Sequence, residues 1–207
     1  VYCSELNGKV IDSGLQMMGG YGFIEEYTMA RQYRDCRIDR IWEGTNEINR
    51  QIITGYMMKK ALMEELPILG SIREIEQYMN NGKLDTDSEI LFAESNVVET
   101  SKRLALFLLN EGICEFGQDL KHQQQIADIL ANIFIDIYVA ESTVLRAKKM
   151  LGNPKSSPSV EGVAKIFVAE MAQRMVQLAE TALKGIYNGN LSPLMHENLN
   201  AFRSRLY

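Results

Sequence analysis

Apolar residues recur at helical spacing along most of the chain, and no stretch alternates with the two-residue period of a half-buried strand. Val10, Ile11, Leu15 and Met18 predict a helix over residues 1–18. Gly19-Gly20-Tyr21-Gly22 ends it, because glycine reaches positive φ without steric cost. A loop is expected to about Thr28, then a short helix over 29–36, then irregular chain over 37–44. Thr45 or Asn46 caps the next helix, which should run to about Glu65. Glu47 falls in its first turn, where the helix dipole favours an acid.

Pro67 and Gly70 break that helix and mark a domain boundary, dividing the chain into 1–66 and 67–207. Residues 71–79 read as a short helix, 80–83 as a loop and 85–88 as a source of helix caps. Three long amphipathic helices follow. Ile90, Leu91, Val97, Val98, Leu104, Ala105 and Leu108 stripe the first. Ile126, Ile129, Leu130, Ile133, Phe134 and Ile137 stripe the second. Val163, Ala164, Phe167, Met171, Met175, Leu178, Ala182 and Ile186 stripe the third. The segment 152–159, rich in Gly, Pro and Ser, separates the last two, and a final short helix is expected over 193–203. Such helices joined by short polar loops make an all-α bundle. The eleven methionines, Met57, Met58, Met171 and Met175 among them, fit a core-filling role better than a cofactor lining.

The composition excludes several function classes. A net charge of −5 offers no basic field for nucleic acid. No apolar run approaches the roughly 20 residues of a membrane span. Cys3, Cys36 and Cys114 are too far apart for a zinc or disulfide framework, and they suit a reducing compartment rather than secretion. His122 and His196 stand in polar surroundings, so no metal ligand set and no His-based triad is expected. The chain opens at Val1 without a signal peptide or a polar leader, which predicts a piece of a longer polypeptide cut within a helix.

Three places hold candidate chemistry. In Ile41-Trp42-Glu43-Gly44-Thr45-Asn46-Glu47-Ile48 a single acid, Glu43, lies between an aromatic and a glycine, just ahead of a helix start. Shielding by Trp42 would raise its pKa, whereas the helix N-terminus favours its anion. A base so placed can take a weakly acidic proton from a bound carbonyl compound. The plainer reading is a surface acid beside a helix cap. Gln16-Met17-Met18-Gly19-Gly20 permits close backbone approach by a ligand, or is a simple C-cap. No Gly-Lys-Ser/Thr follows, so it is not a phosphate-binding P-loop. Arg31, Arg34, Asp35 and Arg37 form an anion clamp or, more simply, an internal ion network.

Taken as a set, these segments carry a resemblance. Gln-x-x-Gly-Gly-x-Gly-Phe (Gln16 to Phe23), Glu26-Tyr27, Arg31-x-x-Arg34-Asp35-x-Arg37-Ile38 and Ile41-x-Glu43-Gly44-Thr45-Asn46-Glu47-Ile48-x-Arg50 resemble the C-terminal part of the acyl-CoA dehydrogenase family in order and spacing. The resemblance implies an FAD enzyme that introduces an α,β double bond into an acyl-CoA thioester, as in fatty acid β-oxidation. Glu43 then matches the base that removes the α-proton while a β-hydride passes to the flavin. Gly44 and Trp42 match substrate-side positions. Thr45 and Glu47 match FAD-contacting positions, with glutamine common in relatives at the latter. Gln16, Gly19 and Gly20 match a segment that contacts FAD held mainly by a neighbouring subunit. The acceptor implied is an electron-transfer flavoprotein, the assembly a homo-oligomer, and the location a bacterial cytoplasm or a mitochondrion.

Thr28 and Ala30 depart from the family's usual proline and acid, which bears on loop shape rather than on the base. The family's N-terminal helical and middle β-domains are absent from these residues, so the chain alone is expected to be inactive. Residues 1–66 correspond to part of the catalytic helical domain. Residues 67–207 resemble the additional C-terminal helical domain of larger members such as the very-long-chain type. In some of those it replaces contacts with a second dimer. Two other readings stay open: an acyl-CoA oxidase with the same base chemistry, and a helical interaction module without activity.

Overall fold

A computed structural model describes residues 1–66, 75, 89–153 and 157–207, and every ordered element among them is helical. The short helix, loop and caps expected over 71–88 lie outside the described residues, apart from Ile75, which is buried. The described residues divide into two compact units, Val1–Ile52 and Ile53–Tyr207.

The first unit opens with α1, Tyr2–Met18. Gly19 ends it at φ +57°, the positive φ anticipated for a glycine terminator, and its N–H caps Gln16 O at 3.1 Å. The chain does not stay irregular there. It re-enters a single helical turn, α2, Gly20–Phe23. A Cβ at Gly22 would meet Leu15 O at 2.5 Å, so this turn packs on the end of α1 with no room for a side chain. Tyr21 and Tyr27 then meet edge-to-face at 5.3 Å between ring centres and brace the loop between them. Helix α3, Thr28–Arg37, follows, and a 3₁₀ turn, Ile38–Arg40, leads out of it.

Helix α4, Asn46–Leu62, begins in the first unit and continues into the second. It stops three residues short of the expected Glu65, and Glu64 takes φ +58° just beyond its end. The two compact units meet inside α4, between Ile52 and Ile53. From Thr54 onward the helix belongs to the second core. Buried Thr54 donates its hydroxyl to Ala127 O at 2.6 Å, and Met58 is buried in that core.

The second unit is the predicted bundle: α5, Phe92–Phe116; α6, Gln124–Leu151; α7, Ser159–Ile186; and α8, Pro193–Leu206. Leu104, Leu108, Leu130, Ile133, Met171, Met175 and Leu183 are fully buried where the three apolar stripes meet. Two of the methionines read as core fillers therefore fill it. Asp136 of α6, also buried, takes two bonds of 2.7 Å from the Arg174 guanidinium of α7. Tyr187, just past α7, donates to Glu111 of α5 at 2.5 Å. Ser192 caps α8 by accepting from Met195 N, with Pro193 at the first helical position. Phe202 packs α8 on Phe107 of α5 at 5.8 Å. No helix among the described residues is long and apolar enough to cross a membrane.

Candidate functional site

The octapeptide around Glu43 forms a tight reversal at the head of α4. Ile41 and Trp42 both donate backbone N–H groups to Ile38 O, at 2.8 and 3.1 Å, closing the 3₁₀ turn. Glu43 then takes φ +55° and Gly44 φ +90°. Glycine is at home in this region; a glutamate is not, and the strain is about 1 kcal/mol. Thr45 is the helix cap: its hydroxyl accepts from Ile48 N at 3.3 Å, and its carbonyl takes the first helical bond from Asn49 at 2.9 Å. Asn49 Nδ2 donates back to Gly44 O at 2.8 Å, pinning the turn from the far side.

Of the two capping residues open on sequence, Asn46 does a different job. It is 3% exposed, and its amide leaves the helix head to bond Ser4 Oγ at 3.0 Å and Glu5 Oε1 at 3.2 Å on α1. Glu47 stays in solvent. Its own N–H and the Thr45 hydroxyl hold its carboxyl below the ordinary glutamate range, with smaller help from Arg50 and Arg37. The first-turn acid is thus kept ionised, as the dipole argument expected.

Glu43 is exposed and Trp42 is 58% exposed. The expected shielding of the carboxylate by the indole is therefore absent, because nothing among the described residues covers this side of the turn. A cavity of 990 Å³ lies on the same unit, lined among others by Leu15, Phe23, Tyr33, Arg37 and Ile41. Of the residues singled out for chemistry, Arg34 and Arg37 line it, whereas Gln16, Gly19, Gly20, Trp42, Glu43, Gly44, Thr45 and Glu47 do not. The arginine cluster resolves into exposed ion pairs, Arg31 with Asp35 at 3.6 Å and Arg34 with Glu25 at 3.1 Å. That is the internal-network reading, worth a few tenths of a kcal/mol per pair.

The candidate cofactor positions are not gathered into one pocket. Gln16, Gly19 and Gly20 are exposed at the C-terminal end of α1. Thr45 and Glu47 lie by its N-terminal end, where Ser4 and Glu5 hold Asn46. At 1.5 Å per residue the two groups are about 16 Å apart along the helix. A Cβ at Gly19 or Gly20 would meet nothing within 4 Å, so backbone there is open to close approach.

Sequence reasoning passed over Ser4, Glu5, Gly8 and Arg40. One signal was available: a glycine inside a helix costs about 1 kcal/mol against alanine, which asks for a packing reason. The reason is Arg40. A Cβ at Gly8 would lie 3.2 Å from Arg40 Nη2 and 3.4 Å from its Cζ.

Two family models, each described as the acyl-CoA dehydrogenase C-terminal domain, match residues 1–58 and 100–200. The first match contains every residue singled out for chemistry, so the class is an all-α C-terminal part of a dehydrogenase. A probable acyl-CoA dehydrogenase of Bacillus subtilis (strain 168) is 34% identical over 198 residues, covering 94% of this chain and 33% of its own length. A butyryl-CoA dehydrogenase of Syntrophomonas wolfei is 48% identical over 50 residues, 24% of this chain and 8% of that protein. The crystal structure of an acyl-CoA dehydrogenase complexed with FAD from Bacillus anthracis superposes with a TM-score of 0.87 at 29% identity, over 100% of this chain and 35% of that one. The chain belongs to the acyl-CoA dehydrogenase family, and it spans about a third of the length of these two Bacillus relatives.

Proposed function

We propose that the chain serves as the C-terminal part of an FAD-dependent acyl-CoA dehydrogenase, with Glu43 as the base that removes the α-proton of an acyl-CoA thioester. One observation carries this reading. An acid in a left-handed turn is held at a capped helix head, inside the 1–58 stretch matched by the family model. FAD, when bound, supplies the two-electron acceptor chemistry for the β-hydride.

The chain's own residues do the rest. Glu43 accepts the α-proton on its carboxylate. Gly44, with no side chain at φ +90°, lets the thioester end approach the turn. Trp42, largely exposed, offers an apolar wall to the bound substrate. Thr45 and Glu47 would hold FAD from the helix head, while Gln16, Gly19 and Gly20 would reach FAD of a neighbouring subunit. That requires a homo-oligomer. The separation of the two groups along α1 supports this division, since one chain presents them at different points.

The residues facing solvent at the turn are those that the remaining two thirds of such an enzyme would cover, so the isolated chain is inactive. β-Oxidation of fatty acids is the process this chemistry serves, and an electron-transfer flavoprotein is the acceptor. A relative from Acetobacterium woodii, 42% identical over 59 residues, is named as a subunit of a caffeyl-CoA reductase–Etf complex, which supports that choice.

The test is Glu43→Gln in the full-length, flavin-loaded polypeptide. A placed base is worth about 10²–10⁴ in rate, so turnover should fall by that factor with flavin still bound. Near-normal turnover would put the base elsewhere.

A further inference from the structure

Glu43 holds a backbone conformation that glutamate does not choose for itself, so something must impose it. The constraint is found on α1. On the downstream side of the turn, Glu5 Oε1 accepts from Asn46 Nδ2 at 3.2 Å and from Arg50 Nη2 at 2.7 Å. Asn46 and Arg50 are four apart on α4, so they share a face, and a single carboxylate oxygen gathers both. The Arg50 side chain is only 11% exposed. Ser4 Oγ takes the same Asn46 amide at 3.0 Å.

On the upstream side, the Arg40 guanidinium lies across Gly8, one helical turn further along α1. Its Nε is buried with no hydrogen-bond partner among the described residues. The guanidinium packs over the glycine, where a Cβ would lie 3.2 Å from Nη2. The turn is thus tethered on both sides of Glu43 to one face of one helix. With its ends that close together, the chain between them must reverse, and it does so at Glu43 and Gly44.

We propose that Glu5 is a positioning residue: through Asn46 and Arg50 it fixes the left-handed turn at Glu43 and so sets the direction of that carboxylate. For catalysis this rests on Glu43 being the base; for conformation it stands by itself. Misplacing a reacting group by about 1 Å costs up to about 10²-fold in rate, so a loosened turn should act on turnover rather than on substrate binding.

The experiment uses Glu5→Ala, which deletes both bonds, and Glu5→Gln, which keeps an acceptor oxygen. The first readout is the backbone chemical shifts of Glu43 in the 207-residue chain, which report the sign of φ. The second is kcat and KM of the full-length, flavin-loaded polypeptide. Glu5→Ala is expected to move the Glu43 shifts away from left-handed values. It should lower kcat about 10- to 100-fold, with KM within about twofold and flavin content unchanged. Glu5→Gln should restore both to within about threefold.

Glu43 shifts unchanged in Glu5→Ala would overturn the proposal, and so would an unchanged kcat in an enzyme where Glu43→Gln is inactive. If Glu43→Gln stays active, the base assignment fails, and the chemical shifts alone decide the positioning role. If Glu5→Ala does not fold, Asn46→Ala, which leaves the Arg50–Glu5 pair in place, is judged by the same readouts and outcomes.

Discussion

The Asp136–Arg174 pair makes an asymmetric prediction about the helical bundle. The two bonds are equal at 2.7 Å, but the side chains are not equally placed: Asp136 is 7% exposed and Arg174 is 47% exposed. Arg174→Met leaves a carboxylate stranded between helices, which is the costly way to break a buried pair. The low end of that range, about 3 kcal/mol, applies because the lost partner was half in solvent. Asp136→Asn leaves a guanidinium that can turn to water and keeps one acceptor oxygen, so about 1.5 kcal/mol is expected. At about 2–4 °C per kcal/mol for a unit of this size, Arg174→Met should lower the midpoint by about 6–12 °C and Asp136→Asn by about half that. The double variant Asp136→Leu/Arg174→Met removes the stranded charge and should be more stable than Arg174→Met alone. Far-UV circular dichroism followed against temperature is the assay, since the single tryptophan, Trp42, lies in the other unit. Asp136→Asn costing as much as Arg174→Met, or a double variant below both singles, would refute the reasoning.

Three further outcomes are expected. Phe202→Ala removes a fully buried ring that joins α8 to Phe107, so urea unfolding should show a loss of about 4 kcal/mol. Burial, and then the bond to Glu111, hold the Tyr187 phenol above the ordinary tyrosine value of 10.0. The native state therefore favours its proton, and that stability is whole below about pH 10 and lost as pH rises through the native value. Denaturation midpoints between pH 9 and 11 should accordingly fall more in the wild type than in Tyr187→Phe. Thr45→Val removes the cap of α4 at about 1 kcal/mol, and it takes away one of the bonds holding Glu47 low. The Glu47 carboxyl carbon, followed by NMR from pH 2 to 6, should titrate below the ordinary 4.5 in the wild type and closer to it in the variant. The direction is fixed by linkage: a depressed carboxyl stabilises above its unfolded value and loses that contribution as pH falls through its native one.

The bundle was legible because its signal is periodic and long. The stripes of α5, α6 and α7 repeat over 25 to 28 residues each, and most positions named from period alone, Leu104, Leu130, Ile133 and Met175 among them, are buried, whereas Ile90 and Val163 are exposed. Where one residue decides the structure, the reading was less complete. The glycine run after Met18 does end α1, but Gly22 allows a further helical turn against Leu15, and spacing has no way of registering that close approach. Proline at 67 marks where a helix must stop. It says nothing of where helix α4 changes cores, which Thr54 and Met58 decide through contacts with residues far along the chain.

At the turn, the local chemistry was visible and its restraint was not. A Glu-Gly-Thr sequence announces a reversal and a cap because those residue types act within four positions of themselves. The groups that tether the turn are 41 and 45 residues away, Glu5 to Asn46 and to Arg50, and no local rule connects them. The mid-helix glycine at position 8 was the one local trace, a cost with no local benefit. Such a cost implies a tertiary partner, and the partner proves to be an arginine three residues before the acid. Here the helical glycine marks the element against which Arg40 packs, three residues ahead of the acid. Gly8→Ala makes this testable apart from Glu5. It should improve α1 as a helix by about 1 kcal/mol while pushing Arg40 aside, so Glu43 shifts that remain left-handed in that variant would limit the restraint to the Glu5 side.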